Sequence, residues 1–277
     1  MIDRGTEWFA PTTRAEAIAL RAERRDEATI VAGGTFLGVL MNNGMIAPSA
    51  MIALRDVEEF KYVRVDGDLH IGAMTTHREI ELHPLINRLW PSLSHMFSLV
   101  ANPRIRNWAT IGGVLADADY ASDPPAMLIA LNARAVVESR RGKREIPIEE
   151  LILGAYHTAI ADDELLVEVV VPAGTEKAVY RKFRTRSHED RPCVSVAAAR
   201  HDGKLRLAVG AVSPTPQMFP DICAIADGRS ITSEMAADIG RSYADSIAPL
   251  DDARGSGAYR KRVIAVEVRR ALEALAS

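Results

Sequence analysis

The chain has 277 residues, of which 48% are hydrophobic, and a formal net charge of −3. That is apolar material for two or three compact units, with both signs of charge interspersed and no field strong enough to draw in a nucleic acid. No apolar run approaches the roughly 20 residues of a bilayer span, and Met1-Ile2-Asp3-Arg4 lacks the basic-then-apolar order of a secretory leader, so a cytoplasmic protein is expected.

In chain order, Thr13 and Glu16 read as a capping box that opens a helix running to about residue 25. Residues 28–32 form a short, partly β-branched run, a strand that ends at Gly33-Gly34. Residues 36–41 then read as a helical turn and 51–54 as a second strand. This alternation predicts a small α/β unit. A hairpin follows, with 61–65 and 69–72 flanking Asp66-Gly67-Asp68. Thr76 and Glu79 make a second capping box, and Pro84 ends or kinks the helix it opens. Leu85, Ile86 and Leu89, and then Leu93, Met96, Phe97 and Val100, recur at helical spacing.

Residues 125–131 read as a helix, 133–138 as a strand, 140–143 as a basic turn and 165–171 as a β-branched strand stopped by Pro172. The character changes near residue 175. Strands are expected over 178–183, 194–200 and 205–212. Helix follows from Thr232, with Ile264, Val268, Ala271 and Leu275 forming one apolar stripe. Strands first and helices after predict an α+β C-terminal domain.

Several chemistries are excluded. Cys193 and Cys223 are too few for a disulfide framework, or for an iron–sulfur cluster held by this chain alone, which wants four thiolates. His77 and His83 have no second pair at metal-ligand spacing, so no zinc site is expected. G-x-S-x-G, G-x-G-x-x-G and a Walker A lysine are all missing, and no residues stand out as acid, base or nucleophile.

Two small-residue turns remain: Val31-Ala32-Gly33-Gly34-Thr35 and Ala109-Thr110-Ile111-Gly112-Gly113-Val114, the second running on through Asp117, Asp119 and Asp123 to Pro124-Pro125. Glycines let main-chain N–H groups approach a phosphate and tolerate positive φ, so two such turns can close on one ligand from opposite sides. Asp117 and Asp119 read as exposed acids that shape the turn, and Trp108 and Phe36 as packing residues. Asp123, ahead of Pro124-Pro125, has the cap of the following helix as its alternative reading.

These motifs, in this order, resemble the FAD-binding subunit of the molybdenum hydroxylases, the medium subunit of aerobic carbon monoxide dehydrogenases and the middle domain of xanthine dehydrogenases. The resemblance rests on Phe9-x-Pro11, on Ala32-Gly33-Gly34-Thr35, and on Ile105-Arg106-Asn107-x-Ala109-Thr110-Ile111-Gly112-Gly113. Tyr180-x-Lys182-Phe183 and Tyr259-Arg260 extend it over nearly the whole chain. It implies a vanillyl-alcohol-oxidase/PCMH-type FAD-binding domain over residues 1–175, made of two α/β subdomains (about 1–58 and 59–175). A smaller domain over 176–277, with a three-stranded antiparallel sheet and a helical bundle, would follow.

It further implies that Ile30, Val31, Ala32, Gly33, Gly34, Thr35, Phe36 and Leu37 of the first turn bind FAD. Ala101 and the second-turn residues Ala109, Thr110, Ile111, Gly112, Gly113 and Val114 would join them, the two backbones cradling the pyrophosphate. Asp123 would accept from FAD hydroxyls, Leu166 would lie near the isoalloxazine, and Lys182 would set a positive charge beside it.

The implied role is electron transfer from iron–sulfur clusters on a small partner, fed by a large molybdopterin subunit, through FAD to an external acceptor (NAD, quinone or oxygen). A dimer of heterotrimers is expected. A stand-alone flavoenzyme of the same superfamily and a flavin-free assembly subunit are the alternatives. Two positions depart from the family pattern. Val114 stands where asparagine is common, which leaves only its backbone N–H to serve FAD, and Tyr120 stands where proline is common, placed to cover the flavin.

Overall fold

The computed structural model describes residues 5–277, so Met1-Ile2-Asp3-Arg4 lie outside the described residues. The chain begins with β1 (Glu7–Phe9), α1 (Arg14–Arg24), β2 (Thr29–Val31), α2 (Leu37–Asn42) and β3 (Ala50–Ala53). The three strands form a parallel sheet in the order β1-β3-β2. Thr13 caps α1 by accepting from the Glu16 N–H, but the Glu16 carboxylate takes the Thr12 N–H (2.9 Å), so the box is displaced by one residue.

The middle of the chain supplies β4 (Val63–Asp66), β5 (Asp68–Gly72), α3 (His77–Leu82), α4 (Pro84–Leu89), α5 (Pro91–Ser98), α6 (Pro103–Arg106), α7 (Ile111–Asp117) and α8 (Pro124–Ala130). β6 (Arg134–Ser139), β7 (Gly142–Pro147), α9 (Ile148–Leu151), the short ribbon β8 (Ile152–Gly154) and β9 (His157–Thr158), and β10 (Leu165–Val171) follow. The five long strands form an antiparallel sheet in the order β4-β5-β10-β6-β7. The Thr76–Glu79 capping box is made in full, and α4 starts afresh at Pro84. Of the basic turn expected at 140–143, Arg140 and Arg141 form the turn between β6 and β7, while Gly142 and Lys143 already belong to β7, an edge strand whose Lys143, Arg144 and Glu145 are all exposed. Charges of that kind blunt a sheet edge and hide its strand character from the sequence.

β10 is the central strand and serves two cores. Leu166, Val169 and Val171 belong to the cluster built with α3, α5, α7 and α8. Leu165, Val167 and Val170 belong to the cluster built with α1 and β3. Strict alternation would put 165, 167, 169 and 171 on one face. A bulge at Val167, between Leu166 and Glu168, inserts one residue and reverses the phase. The carbonyl of Val167 accepts from the Ala73 N–H (3.0 Å), and the Ala73 carbonyl accepts from the Gly112 N–H (2.8 Å), so the bulge is tied directly to the second glycine turn.

The last part consists of β11 (Thr175–Phe183), β12 (Val194–His201), β13 (Lys204–Gly210), β14 (Gln217–Met218), α10 (Pro220–Cys223), α11 (Ser233–Ser246) and α12 (Gly257–Ala276). The sheet has four strands rather than three, because the two-residue β14 adds to the edge of β13. In place of a bundle, α11 and α12 pack together on one face of the sheet. Val194, Val196 and Ala198 of β12 point at them, while Ala197 and Ala199 join the α8 side. The apolar stripe of α12 is buried as expected. It also includes buried Glu267, which Arg181 (2.7 Å) and Arg270 (2.8 Å) neutralise.

Arg260 is fully buried at the start of α12, donating to the Ala211 carbonyl and to Asp252. Arg260→Ala removes a buried cation and leaves both acceptors short of a donor. Urea denaturation should show a loss of about 3–5 kcal/mol in unfolding free energy.

Candidate functional site

The two glycine turns meet. A Cβ built on Gly33 would fall 1.7 Å from the Trp108 carbonyl oxygen and 3.2 Å from Ala109 Cα. One built on Gly113 would lie 3.4 Å from Ala32 Cβ and 2.9 Å from Thr110 Oγ1. Gly112 is held as closely, 2.7 Å from Ala73 Cβ on the same construction. Of these glycines only Gly34 adopts positive φ (+69°). The others are required by close approach, not by a left-handed backbone.

The turns differ in what they offer a ligand. Among the described residues, the N–H groups of Gly33, Gly34, Thr35 and Phe36 donate to no protein acceptor, leaving a run of open donors. In the second turn Ile111 N–H donates to Thr75 (3.1 Å), Gly112 N–H to Ala73 and Gly113 N–H to Thr110 Oγ1 (3.0 Å), while Val114 N–H donates to the Thr110 carbonyl (3.1 Å). The second turn is the first turn of α7, capped by Thr110, so its amides from Ile111 to Val114 are taken up by the fold, while the Thr110 N–H donates to no protein acceptor among the described residues. Val114, whose backbone N–H was its only offer, has none free.

A cavity of about 700 Å³ opens between the turns, within the size range of cofactor pockets. All the implied site residues line it except Val31 and Ile111. Ile111 is fully buried in the core, and Val31 Cγ1 sits beneath Gly34, 3.9 Å from the position of a Cβ there. Ala101 reaches the wall in a left-handed conformation (φ 43°), strained for a residue with a Cβ.

Asp123 makes no side-chain cap to α8. Its carboxylate instead accepts from Tyr180 Oη (2.6 Å) and Lys182 Nζ (2.8 Å), and Lys182 also donates to the Leu99 carbonyl (2.9 Å). Both members of the ion pair are buried. Burial pushes the Asp123 carboxyl up and the Lys182 ammonium down, each opposed by the charge of the other. Lys182 therefore brings no net charge to the cavity wall on its own.

At the cavity mouth Arg191 pairs with buried Asp119 and lies over the Phe36 ring at 5.4 Å, while Phe36 stacks on Tyr156 with centroids 5.8 Å apart. Asp117 lines the cavity, half-buried. Burial, reinforced by the charge of Asp119 and opposed by Arg191, raises its pKa to about 7. The reading of Asp117 and Asp119 as exposed acids is thus corrected. So is that of Trp108, which is 55% exposed and contributes its carbonyl rather than its ring. Tyr120 does not line the cavity. Its hydroxyl donates to Asp252 (3.0 Å) and accepts from Arg254 (2.6 Å), bridging to the C-terminal domain.

Residues 4–174 match a family described as the FAD binding domain in molybdopterin dehydrogenase, and residues 178–275 match the CO dehydrogenase flavoprotein C-terminal domain. The carbon monoxide dehydrogenase medium chain of Hydrogenophaga pseudoflava is 30% identical over 99% of this chain and 98% of its own. The chain belongs to the FAD-binding medium-subunit family of the molybdenum hydroxylases. Another member, the nicotine 6-hydroxylase medium subunit of Paenarthrobacter nicotinovorans, is 31% identical over 89% of both chains. The solved carbon monoxide dehydrogenase of Hydrogenophaga pseudoflava superposes with a TM-score of 0.92 at 30% identity, covering 98% of this chain and 96% of that one.

Cavity-lining residues of this medium subunit that sequence reasoning missed include Leu40, Met74, His77, Thr158, Ile160, Glu164 and Arg191. They come from elements remote along the chain and share no motif. The nearest signal was the Thr76 cap, which fixes His77 at the start of α3.

Two outcomes test this geometry. Gly33→Ala should abolish binding of added FAD in a fluorescence titration. Gly38→Ala, where a Cβ meets nothing within 4 Å, should leave it unchanged. Asp117 carries a folded-state pKa above its ordinary value, so the native state binds its proton more tightly and stability falls as pH rises from about 4 to about 7. Asp117→Asn should remove that fall and raise the urea midpoint of the flavin-free chain at pH 8.

Proposed function

We propose that this chain is the electron-transfer subunit of a heteromeric molybdenum hydroxylase, with FAD seated in the cavity between its two turns. Bound there, FAD supplies redox chemistry that joins iron–sulfur clusters on a small partner subunit to an external acceptor (NAD, quinone or oxygen). A large partner would hold molybdopterin, which would supply the hydroxylation chemistry, and the complex would assemble as a dimer of heterotrimers. The names of the relatives, medium chains and subunits of dehydrogenases and hydroxylases, support the multi-subunit reading.

This chain's own residues bind, orient and shield. The open amides of Gly33, Gly34, Thr35 and Phe36 suit a dianionic pyrophosphate, which needs several N–H donors rather than one counter-charge. Asp123, oriented by Tyr180 and Lys182, keeps lone pairs for ligand hydroxyls. Leu166 and Ile160 supply apolar wall, and the stacked Phe36–Tyr156 pair under Arg191 limits water at the mouth. No side chain is assigned as acid, base or nucleophile. Solubility in a cytoplasmic setting is part of the proposal, and among the described residues no helix is long and apolar enough to cross a membrane.

The observation that carries the reading is the run of unpartnered amides set against the glycine-to-carbonyl contact of the second turn. The purified chain should be yellow, or become so after refolding with excess FAD. The dissociation constant should be on the order of 1 μM or tighter. A chain that stays colourless under both conditions overturns the proposal and favours a flavin-free assembly subunit. Turnover of a small-molecule donor by the isolated chain would favour a stand-alone flavoenzyme.

A further inference from the structure

One polar side chain in the cavity wall has no assigned partner. His77, the first residue of α3, is 2% exposed and lines the cavity. Among the described residues neither Nδ1 nor Nε2 makes a hydrogen bond of ordinary geometry, and the one approach the ring makes, toward the Thr110 carbonyl, can occupy a single nitrogen. The other buried side-chain atoms left without a partner belong to residues that do not line the cavity. Buried polar groups are normally satisfied, and one that is not is destabilising, so each exception calls for a cause.

The surroundings of the ring give no packing reason for an imidazole. It tilts against Phe97 with centroids 4.9 Å apart, a contact that an aromatic hydrocarbon would make equally well. Burial lowers its pKa to about 4, opposed by a ring N–H directed at the Thr110 carbonyl and reinforced, to a lesser extent, by the Arg106 charge. At neutral pH the ring is therefore uncharged, with one nitrogen a donor and the other an acceptor. Its position is fixed by the second turn. The His77 backbone N–H donates to the Ala109 carbonyl (2.8 Å), and the Ile111 N–H donates to the Thr75 carbonyl (3.1 Å). Residues 75–77 are thus stitched to the segment whose Trp108 carbonyl meets Gly33.

We propose that His77 contacts the cofactor, a ring nitrogen hydrogen-bonding a polar atom of FAD seated in the cavity and so satisfying what the protein leaves unsatisfied. This rests on the reading of the cavity as a flavin site. A residue kept for packing and one kept for a ligand respond oppositely to His77→Phe. Removing a buried nitrogen with no partner leaves the ligand-free chain as stable as before or more so, since the Thr110 carbonyl keeps the Val114 N–H, whereas a lost ligand hydrogen bond weakens binding.

The test is a titration of the full chain with FAD, followed by flavin fluorescence, with melting of the ligand-free proteins measured alongside. His77→Phe should melt no lower than the unsubstituted chain and bind FAD about tenfold more weakly. His77→Phe binding FAD as tightly as the unsubstituted chain overturns the inference. Failure of the unsubstituted chain to bind FAD overturns the proposed function instead. If His77→Phe does not fold, the ring ¹⁵N signals of His77 in the unsubstituted chain decide: they shift on FAD addition if the inference holds and stay unmoved if it does not.

Discussion

The site depends on one steric fact: the backbone at Gly33 comes so near the Trp108 carbonyl that no side chain fits between them. Gly33 follows a strand of the three-stranded sheet, while Trp108 lies between two helices on the five-stranded one. Nothing local brings them together. The approach is set from behind, through Val167, Ala73 and Gly112, whose main-chain hydrogen bonds run from the bulge of the central strand to the head of α7. Leu165, Val167 and Val170 pack against the first unit, and Leu166, Val169 and Val171 against the helices. One strand thereby holds both halves at a fixed spacing, and the cavity is the space that this spacing leaves.

Electrostatics within the cavity follow a consistent pattern. Lys182 faces Asp123 and Arg191 faces Asp119, so these two cavity cations are matched by carboxylates, while Arg21, also in the wall, donates to main-chain carbonyls. At the first glycine turn an anionic ligand finds main-chain dipoles. Such donors are fixed in direction and need no reorganisation when the ligand arrives. The elevated pKa of Asp117 belongs to the same economy, since a second ionised acid beside Asp119 would oppose any anion placed there.

What could be read from the sequence was what sterics impose. Small residues at Gly33 and Gly112 mark close backbone approach, and that demand leaves a trace in residue type. The stripe of α12, the hairpin at Asp66-Gly67-Asp68 and the capping box at Thr76 were legible for similar reasons: periodicity, turn chemistry and a local cap. What could not be read was what depends on partners far along the chain. Gly112 and Gly113 looked like a loop because glycine disfavours helices, yet Thr110 caps them and the contact with Ala73 requires them. β7 was hidden by its exposed charges. Asp117, Asp119 and Trp108 were misjudged because burial is a tertiary property, and the places of His77 and Arg191 in the cavity wall were invisible for the same reason.

α8 has every residue from Pro124 to Ala130 buried, packed against β12 and β13 and against α5, α7 and α9. A helix with no wet face can exist only as filling. The seam between the two family domains, which match up to residue 174 and from residue 178, therefore passes through the middle of a shared interior. Lys182 crosses it to reach Asp123. Grafting the C-terminal portion of one relative onto the N-terminal portion of another would therefore replace one side of the cofactor chamber and half the cladding of that helix in a single step. The inheritable unit of this architecture is the pair, not either module.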